Sequence, residues 1–162
     1  IEVVRVRAAA ELARAVFERF PESDIVVQAA AVADYRPAQR LHQKRKKAAG
    51  AWSLELEATQ DILGELGRRK GDQILVGFAA ESESLVENAR AKLRGKGLDL
   101  IVANDITTPG SGFEVDENQV TLIDRAGTTV ELPRSSKVEV ARRVWDTIET
   151  LLVPERVDRN IG

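Results

Sequence analysis

Short apolar stretches with little polar alternation predict the strands of a buried sheet. Residues 24–30 (DIVVQAA), 73–81 (QILVGFAAE) and 98–105 (LDLIVAND) are apolar over most of their length, which is typical of strands covered on both faces in a parallel sheet. Residues 1–6 (IEVVRV) are rich in β-branched side chains, and they predict a further strand.

Amphipathic segments between and after these stretches predict helices. Residues 8–20 carry apolar side chains at four-residue spacing, and shorter helices are predicted for 61–69 and 84–96. Residues 135–152 predict a long helix at the end of the domain. Its predicted apolar stripe consists of Val138, Ala141, Val144, Trp145, Ile148 and Leu152.

The remaining segments complete the predicted fold class. Residues 31–50 show no periodicity and are interpreted as a mobile loop, whereas 52–57 (WSLELE) alternate like a strand. Residues 119–132 predict a β-hairpin because two alternating runs flank a short turn that contains glycine. Strands and helices in alternation predict a Rossmann-like parallel α/β sheet flanked by helices, with a small antiparallel hairpin near the C-terminus. We expect one domain over residues 1–152 and a polar tail over 153–162.

Composition narrows the classes of function. The chain has 162 residues and a net charge of -2, which gives no reason to expect affinity for nucleic acid or for a membrane surface. No run approaches the roughly 18 apolar residues that a spanning helix needs. Cysteine is absent and there is one histidine, so disulfides and zinc sites built on thiolates or imidazoles are disfavoured. We expect a cytoplasmic protein.

The stretch AAAVADYRP is the first candidate for chemistry. In open parallel sheets, ligands bind beyond the carboxyl ends of the strands, and this stretch follows the predicted strand 24–30. One interpretation is structural, with Asp34 ending a turn or pairing with Arg36. In the other, the alanines let a ligand lie against bare backbone, and Asp34 accepts hydrogen bonds from the exocyclic amine of a base.

The basic run KRKK (44–47) lies in the predicted loop and not on a helix. Such a run is usually a solvated surface. A flexible loop that carries several lysines can instead close over phosphate groups, where each lysine acts as a mobile point charge.

The predicted helix 84–96 carries a second pair of lysines. At about 100° per residue, Lys92 and Lys96 lie within about 20° of Leu85, on the flank of the apolar stripe. Arg90 and Arg94 fall on the opposite face, where Glu83 and Glu87 are expected to pair with them in solvent. Like charges four residues apart repel, so without a nearby carboxylate the two lysines favour an anion between them. The alternative is that both lysines extend along apolar surface towards water, with Lys96 also favoured at a helix C-terminus.

Several of these motifs, in order, resemble the phosphopantothenate–cysteine ligase family, the synthetase half of the bacterial bifunctional coenzyme A biosynthesis protein. The resemblance covers residues 1 to about 152. It rests on AAAVADYRP, K-x-K-K, GFAAES, the helix with its two lysines, LDLIVAND and FEVDENQVTLID. It implies that CTP activates the carboxylate of 4′-phosphopantothenate as an acyl-cytidylate. The amine of L-cysteine then attacks it to give phosphopantothenoylcysteine and CMP.

The resemblance also implies roles for individual residues. Lys44 matches the family's loop lysine, which is tied to turnover of the intermediate, and Asp34 matches its aspartate ligand to the nucleotide. Phe78 matches the aromatic side chain against the nucleotide, and Lys92 and Lys96 match the lysines that bind the triphosphate. The segments that contact CTP match Gln28, Ala29, Ala30, Gln60, Asp61, Ile62 and Leu63.

Departures from the family pattern are few. Arg45 stands where relatives commonly carry an aliphatic residue, and Gln60 stands where they carry proline. The family's glycine-rich opening strand and its Asn-x-Ser-Ser-Gly-Lys segment are not in this sequence. Methionine is also absent, and the chain opens within a predicted strand, so we expect a piece of a longer polypeptide that is inactive alone.

The resemblance further implies Mg²⁺ with CTP, a homodimer, and FMN only on a separate fused decarboxylase domain. We expect the hairpin 119–132 to form the subunit contact, because an isolated two-stranded ribbon is marginal in water. Two alternatives remain. One is a non-catalytic nucleotide-binding or regulatory homologue of the same fold. The other is a generic nucleotide-binding oxidoreductase domain, which the absence of G-x-G-x-x-G disfavours.

Overall fold

A central mixed sheet organises the molecule. The computed structural model describes residues 1–39, 43, 46, 50–105 and 117–152. Within these ranges the strand order of the main sheet is β1-β4-β5-β7-β8. Its strands are β1 (Ile25–Gln28), β4 (Ile74–Glu81), β5 (Leu100–Asp105), β7 (Val120–Asp124) and β8 (Thr129–Glu131). β1, β4 and β5 run parallel, as predicted, whereas β7 pairs antiparallel with β5 and β8 pairs antiparallel with β7.

The predicted hairpin therefore continues the main sheet. Val102 pairs with Leu122 across the β5–β7 ladder, and Leu122 pairs with Val130 across the β7–β8 ladder. The hairpin was predicted correctly, and the sheet that it joins through β5 is its packing partner. Since β7 is bonded on both sides, the hairpin needs no second subunit to be stable.

Helices cover both faces of this sheet. The α-helices are α1 (Ala9–Arg19), α2 (Ile62–Arg69), α3 (Leu85–Gly95) and α4 (Lys137–Leu152). A 3₁₀ turn at Phe20–Glu22 follows α1. One core cluster joins α1, α2 and α3 to alternate strand residues such as Leu75 and Ile101, and a second joins α4 to Val76 and Val102. The strand period of two thus sends neighbouring side chains into opposite cores.

The apolar stripe of α4 differs from the predicted one. The side chains that enter the core are Val140, Val144 and Ile148, at positions i, i+4 and i+8. Val138, Ala141, Trp145 and Leu152 are exposed. A single sheet face accepts only a narrow stripe of one helix, so the prediction was correct only for Val144 and Ile148.

The predicted strand at residues 1–6 was wrong. These residues form no strand, and Ile1, Val3 and Val4 are exposed. β1 is the edge strand of the described sheet, and Val27 on it is also exposed, so β1 is not covered on both faces as expected. A β-branched composition favours a strand only where a partner strand is available to pair with it.

A small ribbon replaces part of the predicted loop. β2 (Tyr35–Pro37) pairs antiparallel with β3 (Leu56–Ala58), so a strand forms within 31–50 and the predicted strand 52–57 begins later than expected. Arg36 pairs across the ribbon with Glu57, and the Thr59 amide donates to the Asp34 carbonyl at 2.7 Å. The ribbon therefore holds Asp34 beside the segment that leads into α2. A second ribbon joins β6 (Glu117–Asn118) to β9 (Ser135–Ser136).

A buried carboxylate joins several elements at the amino ends of the parallel strands. Asp99 is 1% exposed and lies just before β5. Its carboxylate accepts hydrogen bonds from Lys70 Nζ at 2.6 Å, from the Leu75 amide at 2.8 Å and from Arg125 Nη1 at 2.9 Å. These bonds connect the end of α2, the start of β4 and the hairpin turn.

Gly67 allows α2 to approach the turn after α3 closely. That turn ends at Gly97, which has a φ of +62°, in the left-handed region that favours glycine. A Cβ atom on Gly67 would lie 1.8 Å from the Lys96 carbonyl oxygen. Contact between these two backbone segments therefore requires glycine at position 67.

Candidate nucleotide site

A cavity of about 400 Å³ opens at the carboxyl ends of β1 and β4, beside α2 and α3. It gathers nearly all the residues that the sequence analysis singled out. Those that line it are Gln28, Ala30, Asp34, Gln60, Asp61, Ile62, Leu63, Phe78, Lys92 and Lys96. Ala29 lines an adjoining cavity instead, and Lys44 lies outside the described residues.

Small side chains form the wall of this cavity beside an aromatic ring. Ala30, Ala31, Ala79 and Ala80 lie at the ends of β1 and β4, where a bound group can reach the backbone without meeting a large side chain. Phe78 is the partly exposed large side chain of β4. A flat ligand such as a base can stack on its ring.

Asp34 is available at the edge of the cavity. The alternative in which it pairs with Arg36 was wrong, because the Arg36 guanidinium contacts Glu57 across the β2–β3 ribbon at 2.7 Å. No hydrogen bond or ion pair joins the Asp34 carboxylate to another residue in the described ranges. An exposed carboxylate of this kind can accept hydrogen bonds from a ligand.

Each lysine of α3 has a carboxylate partner, which contradicts the expectation that none is nearby. Lys92 Nζ lies 2.6 Å from Glu81 Oε1, and Lys96 Nζ lies 2.9 Å from Asp61 Oδ1. Glu81 is the last residue of β4, and Asp61 immediately precedes α2. A helical projection of α3 alone contains neither residue, so it cannot reveal these pairs. The signal available in the sequence for Glu81 is its place as the last residue of a predicted buried strand, shortly before the helix that carries Lys92.

Asp61 serves two functions in the local structure. It is the N-cap of α2, where its carboxylate accepts a hydrogen bond from the Gly64 amide at 3.0 Å. Partial burial raises the pKa of this carboxyl, but hydrogen bonds from Lys96 and Gly64 and the charges of Lys96 and Arg68 outweigh it. The net pKa of Asp61 therefore lies below its ordinary value.

The arginines of α3 face away from the cavity, as predicted. Arg90 Nη2 donates to Thr129 Oγ1 at 3.0 Å, which fastens α3 to strand β8. The expected pairs of Arg90 and Arg94 with Glu83 and Glu87 are not among the ion pairs of the described residues. Arg90 thus contributes to packing between elements and not to the cavity.

A second, larger cavity of about 630 Å³ adjoins the first. The two share Ala30, Ala31, Phe78, Ala79 and Ala80, and the second is otherwise lined largely by apolar side chains of β1 and α4. Asn104 reaches this cavity, and its buried Oδ1 has no hydrogen-bond partner within the described ranges. The sequence analysis did not identify this cavity, because it depends on how α4 packs against the sheet, which brings Val144 and Trp145 beside the end of β1.

The described residues contain neither a cluster of metal-binding side chains nor a membrane-spanning helix. Among the described residues, no group of three or more His, Asp or Glu side chains is placed to hold a metal ion. Within the same ranges, no helix has the length and apolar character needed to cross a membrane.

Comparison with known proteins gives consistent matches. Residues 1–152 match the family described as DNA/pantothenate metabolism flavoprotein C-terminal domain. The chain is 46% identical over 150 residues to the coenzyme A biosynthesis bifunctional protein CoaBC of Bacillus subtilis (strain 168), covering 93% of this chain and 37% of that protein. It is 41% identical over 153 residues to a cysteine/cysteine sulfinic acid decarboxylase from an unknown prokaryotic organism, covering 94% of this chain and 43% of that protein.

A solved structure agrees with these matches. The crystal structure of the C-terminal domain of a coenzyme A biosynthesis bifunctional protein CoaBC superposes with a TM-score of 0.75 at 39% identity. The match covers 92% of this chain and 65% of that one. Because the chain spans only about two fifths of the two curated relatives, the names of those whole proteins do not by themselves define its activity.

Proposed function

The chain belongs to the DNA/pantothenate metabolism flavoprotein C-terminal domain family, and from this premise we propose that it carries the nucleotide site of a phosphopantothenate–cysteine ligase in coenzyme A biosynthesis. The observation that supports this most is the convergence of separate motifs on one cavity. The same space of about 400 Å³ is lined by selected residues between positions 28 and 96, which come from β1, the segment before α2, β4 and α3.

CTP fits the chemistry of this cavity. The Phe78 ring offers a surface for the cytosine, and Asp34 accepts hydrogen bonds from its exocyclic amine. The ammonium groups of Lys92 and Lys96 lie on one side of the cavity, where they can neutralise the triphosphate. The alanines at the strand ends leave the backbone open to the ligand.

The proposed reaction has two steps. A carboxylate oxygen of 4′-phosphopantothenate attacks the α-phosphorus of CTP, which forms the acyl-cytidylate and releases pyrophosphate. The amine of L-cysteine then attacks the acyl carbon, an amide bond forms, and CMP leaves. Lys92 and Lys96 stabilise the charge on the phosphate groups in the first step. Lys44 acts in turnover of the intermediate under this proposal.

The proposal assigns Mg²⁺ to the bound nucleotide and FMN to another domain. The described residues provide no cluster of acidic or imidazole ligands for Mg²⁺, so we infer that a magnesium ion would enter on the phosphate oxygens of CTP. FMN belongs, under this proposal, to a separate decarboxylase domain outside this chain. We place the protein in the cytoplasm and propose a homodimer, and sedimentation of the ligase that shows only monomer at micromolar concentration would contradict the dimer.

The proposal is tested first by binding and then by product formation. Calorimetric titration with CTP, ATP and GTP should give saturable binding that favours CTP. The full-length protein, incubated with 4′-phosphopantothenate, L-cysteine, CTP and Mg²⁺, should form phosphopantothenoylcysteine and CMP, detected by mass spectrometry. Binding without product would favour the non-catalytic nucleotide-binding homologue. Lys44→Gln should lower turnover more than CTP affinity.

A further inference from the structure

The two lysines of the cavity have carboxylate partners in different environments. The Glu81 side chain, which pairs with Lys92, is 12% exposed, whereas the Asp61 side chain, which pairs with Lys96, is 50% exposed. This difference matters because a phosphate that binds a lysine must either share it with its carboxylate or displace that carboxylate.

Glu81 is held on both of its oxygens. Its Oε1 accepts from Lys92 Nζ at 2.6 Å, and its Oε2 accepts from Asn88 Nδ2 at 3.3 Å. The same Asn88 amide nitrogen also donates to the Glu83 carbonyl at 2.9 Å. Among the residues that the structure describes, Lys92 therefore supplies the one short hydrogen bond to this carboxylate, which is largely removed from water.

The turn between Glu81 and α3 is also constrained. Ser84, the N-cap of α3, has φ 48° and ψ 43°, in the left-handed region that residues other than glycine rarely adopt. The backbone N–H of Asn88 donates to the Ser84 carbonyl at 2.9 Å, in addition to the hydrogen bonds that the Asn88 side chain makes. Such a conformation persists only where the surrounding contacts determine it, so this turn fixes Glu81 relative to α3.

We propose that Glu81 is a positioning residue that holds the Lys92 ammonium in place while Lys92 binds polyphosphate. This inference rests on the proposed function of the cavity. An ammonium has three N–H donors, and Glu81 uses one of them, so two remain for phosphate oxygens. Release of Lys92 would leave the Glu81 carboxylate poorly solvated and, among the described residues, bonded only by Asn88, which is unfavourable for a carboxylate that is only 12% exposed.

Lys96 provides the contrast. If it leaves Asp61 for a phosphate group, the Asp61 carboxylate keeps its hydrogen bond from the Gly64 amide and remains accessible to water. The loss of an exposed ion pair has a small effect. Under this proposal Lys96 can therefore exchange its carboxylate partner for a phosphate group, whereas Lys92 keeps its bond to Glu81.

The direction in which removal of the Glu81 charge changes the affinity for phosphate distinguishes a positioning carboxylate from a competing one. A carboxylate that merely competed with phosphate for Lys92 would weaken binding, so its neutralisation would tighten binding. A positioning carboxylate has the opposite effect, because its loss releases Lys92 into many rotamers that must be restricted again when phosphate binds.

The experiment is a double-mutant cycle on Glu81→Gln and Lys92→Met, measured by calorimetric titration of the full-length protein with CTP and with inorganic triphosphate. Glu81→Gln is expected to weaken both ligands by roughly five- to tenfold, and it should have no further effect in the Lys92→Met background. Glu87→Gln, on the exposed side of α3, is the matched control and should leave both affinities unchanged.

A spectroscopic measurement on the wild-type protein needs no variant to fold. The carboxyl ¹³C shift of Glu81 should stay constant when inorganic triphosphate is added, because the Lys92 bond persists, while the carboxyl shift of Asp61 should move. Tighter or unchanged binding by Glu81→Gln, an equal loss in both backgrounds, or a moving Glu81 signal would overturn the inference. Failure of the wild-type protein to bind CTP would refute the proposed function, whereas the triphosphate series would still decide the role of Glu81. Binding of neither ligand would refute both.

Discussion

The two ends of the main sheet use charged side chains in opposite ways. At the amino ends, Asp99 is buried and accepts hydrogen bonds from Lys70, Arg125 and the Leu75 amide. At the carboxyl ends, Lys92 and Lys96 are each held by a single carboxylate and border a cavity. A fully bonded buried carboxylate cannot change partners without a large loss of stability, whereas an ammonium at a cavity keeps donors free for a ligand. The same residue types thus serve stability at one end and ligand binding at the other.

Of the substitutions that test this comparison, Asp99→Ala should have the largest effect, and the effect is on stability. It removes the acceptor of Lys70 and Arg125 and leaves the Leu75 amide unpaired in the core, so the free energy of unfolding should fall by about 3–5 kcal/mol. Urea denaturation measures this loss. The affinity of the folded fraction for CTP should stay within about twofold of wild type, since the site lies at the other end of the sheet.

Asp72→Ala is the matched control for Asp99, because Asp72 is an exposed carboxylate near the same end of the sheet. We expect it to change the free energy of unfolding by less than about 0.5 kcal/mol. If Asp99→Ala proved as mild as this control, or lost CTP affinity while still folded, the separation between the two ends would be wrong.

Lys92→Ala should instead lower the affinity for CTP more than it lowers the free energy of unfolding. Loss of charge-assisted hydrogen bonds to the triphosphate, each worth roughly 1.5–3 kcal/mol, predicts a CTP affinity at least about tenfold weaker. Arg90→Ala, two residues earlier on the other side of α3, should change the affinity by less than about twofold, because Arg90 contacts Thr129 and not the cavity. Calorimetric titration compares the two, and equal losses would show that α3 does not face the ligand as described.

The smallest effect is expected at Asp61, and it depends on pH. Its pKa is lower in the folded protein than its ordinary value, so the ionised carboxylate stabilises the fold above a pH of about 4. This stabilisation should disappear as the pH falls below 4 through the lowered pKa. Because the side chain is half exposed, the contribution is expected to stay below about 1 kcal/mol.

Asp61→Asn keeps an oxygen that can cap α2 but removes the charge. Its urea midpoint should therefore fall less steeply than that of wild type between pH 5 and pH 3. High salt should reduce the difference between the two proteins, since it screens an exposed ion pair. Parallel pH profiles would contradict the assignment.

Much of the site was predictable because it follows from local pattern. The alanine tract after a buried run placed Ala30 and Asp34 at a strand end, and the helical projection of α3 placed Lys92 and Lys96 on one side and Arg90 on the other. Both inferences use only the periods of strand and helix, which the sequence displays directly.

The predictions that were wrong share a different cause, because each concerns a contact with residues distant in sequence. Glu81 and Asp61 reach the lysines only through the folded arrangement of β4, α2 and α3. Residues 1–6 have the composition of a strand but no pairing partner among the described residues, and the side of α4 that enters the core is set by the sheet it meets. No local period encodes such partners.

Gly67 shows how a residue without a functional group can control a binding site. Any side chain there would collide with the Lys96 carbonyl oxygen and push α2 away from the end of α3, and these two segments carry Asp61 and Lys96. A saturation mutagenesis map of the chain should therefore mark position 67 as intolerant to every replacement, although glycine offers no contact to a ligand. Variants at 67 should lose stability and nucleotide affinity together, whereas variants at 92 should lose more affinity than stability, because the lysine that they remove also bonds Glu81. Such a map would separate positions that shape the cavity from positions that touch its contents.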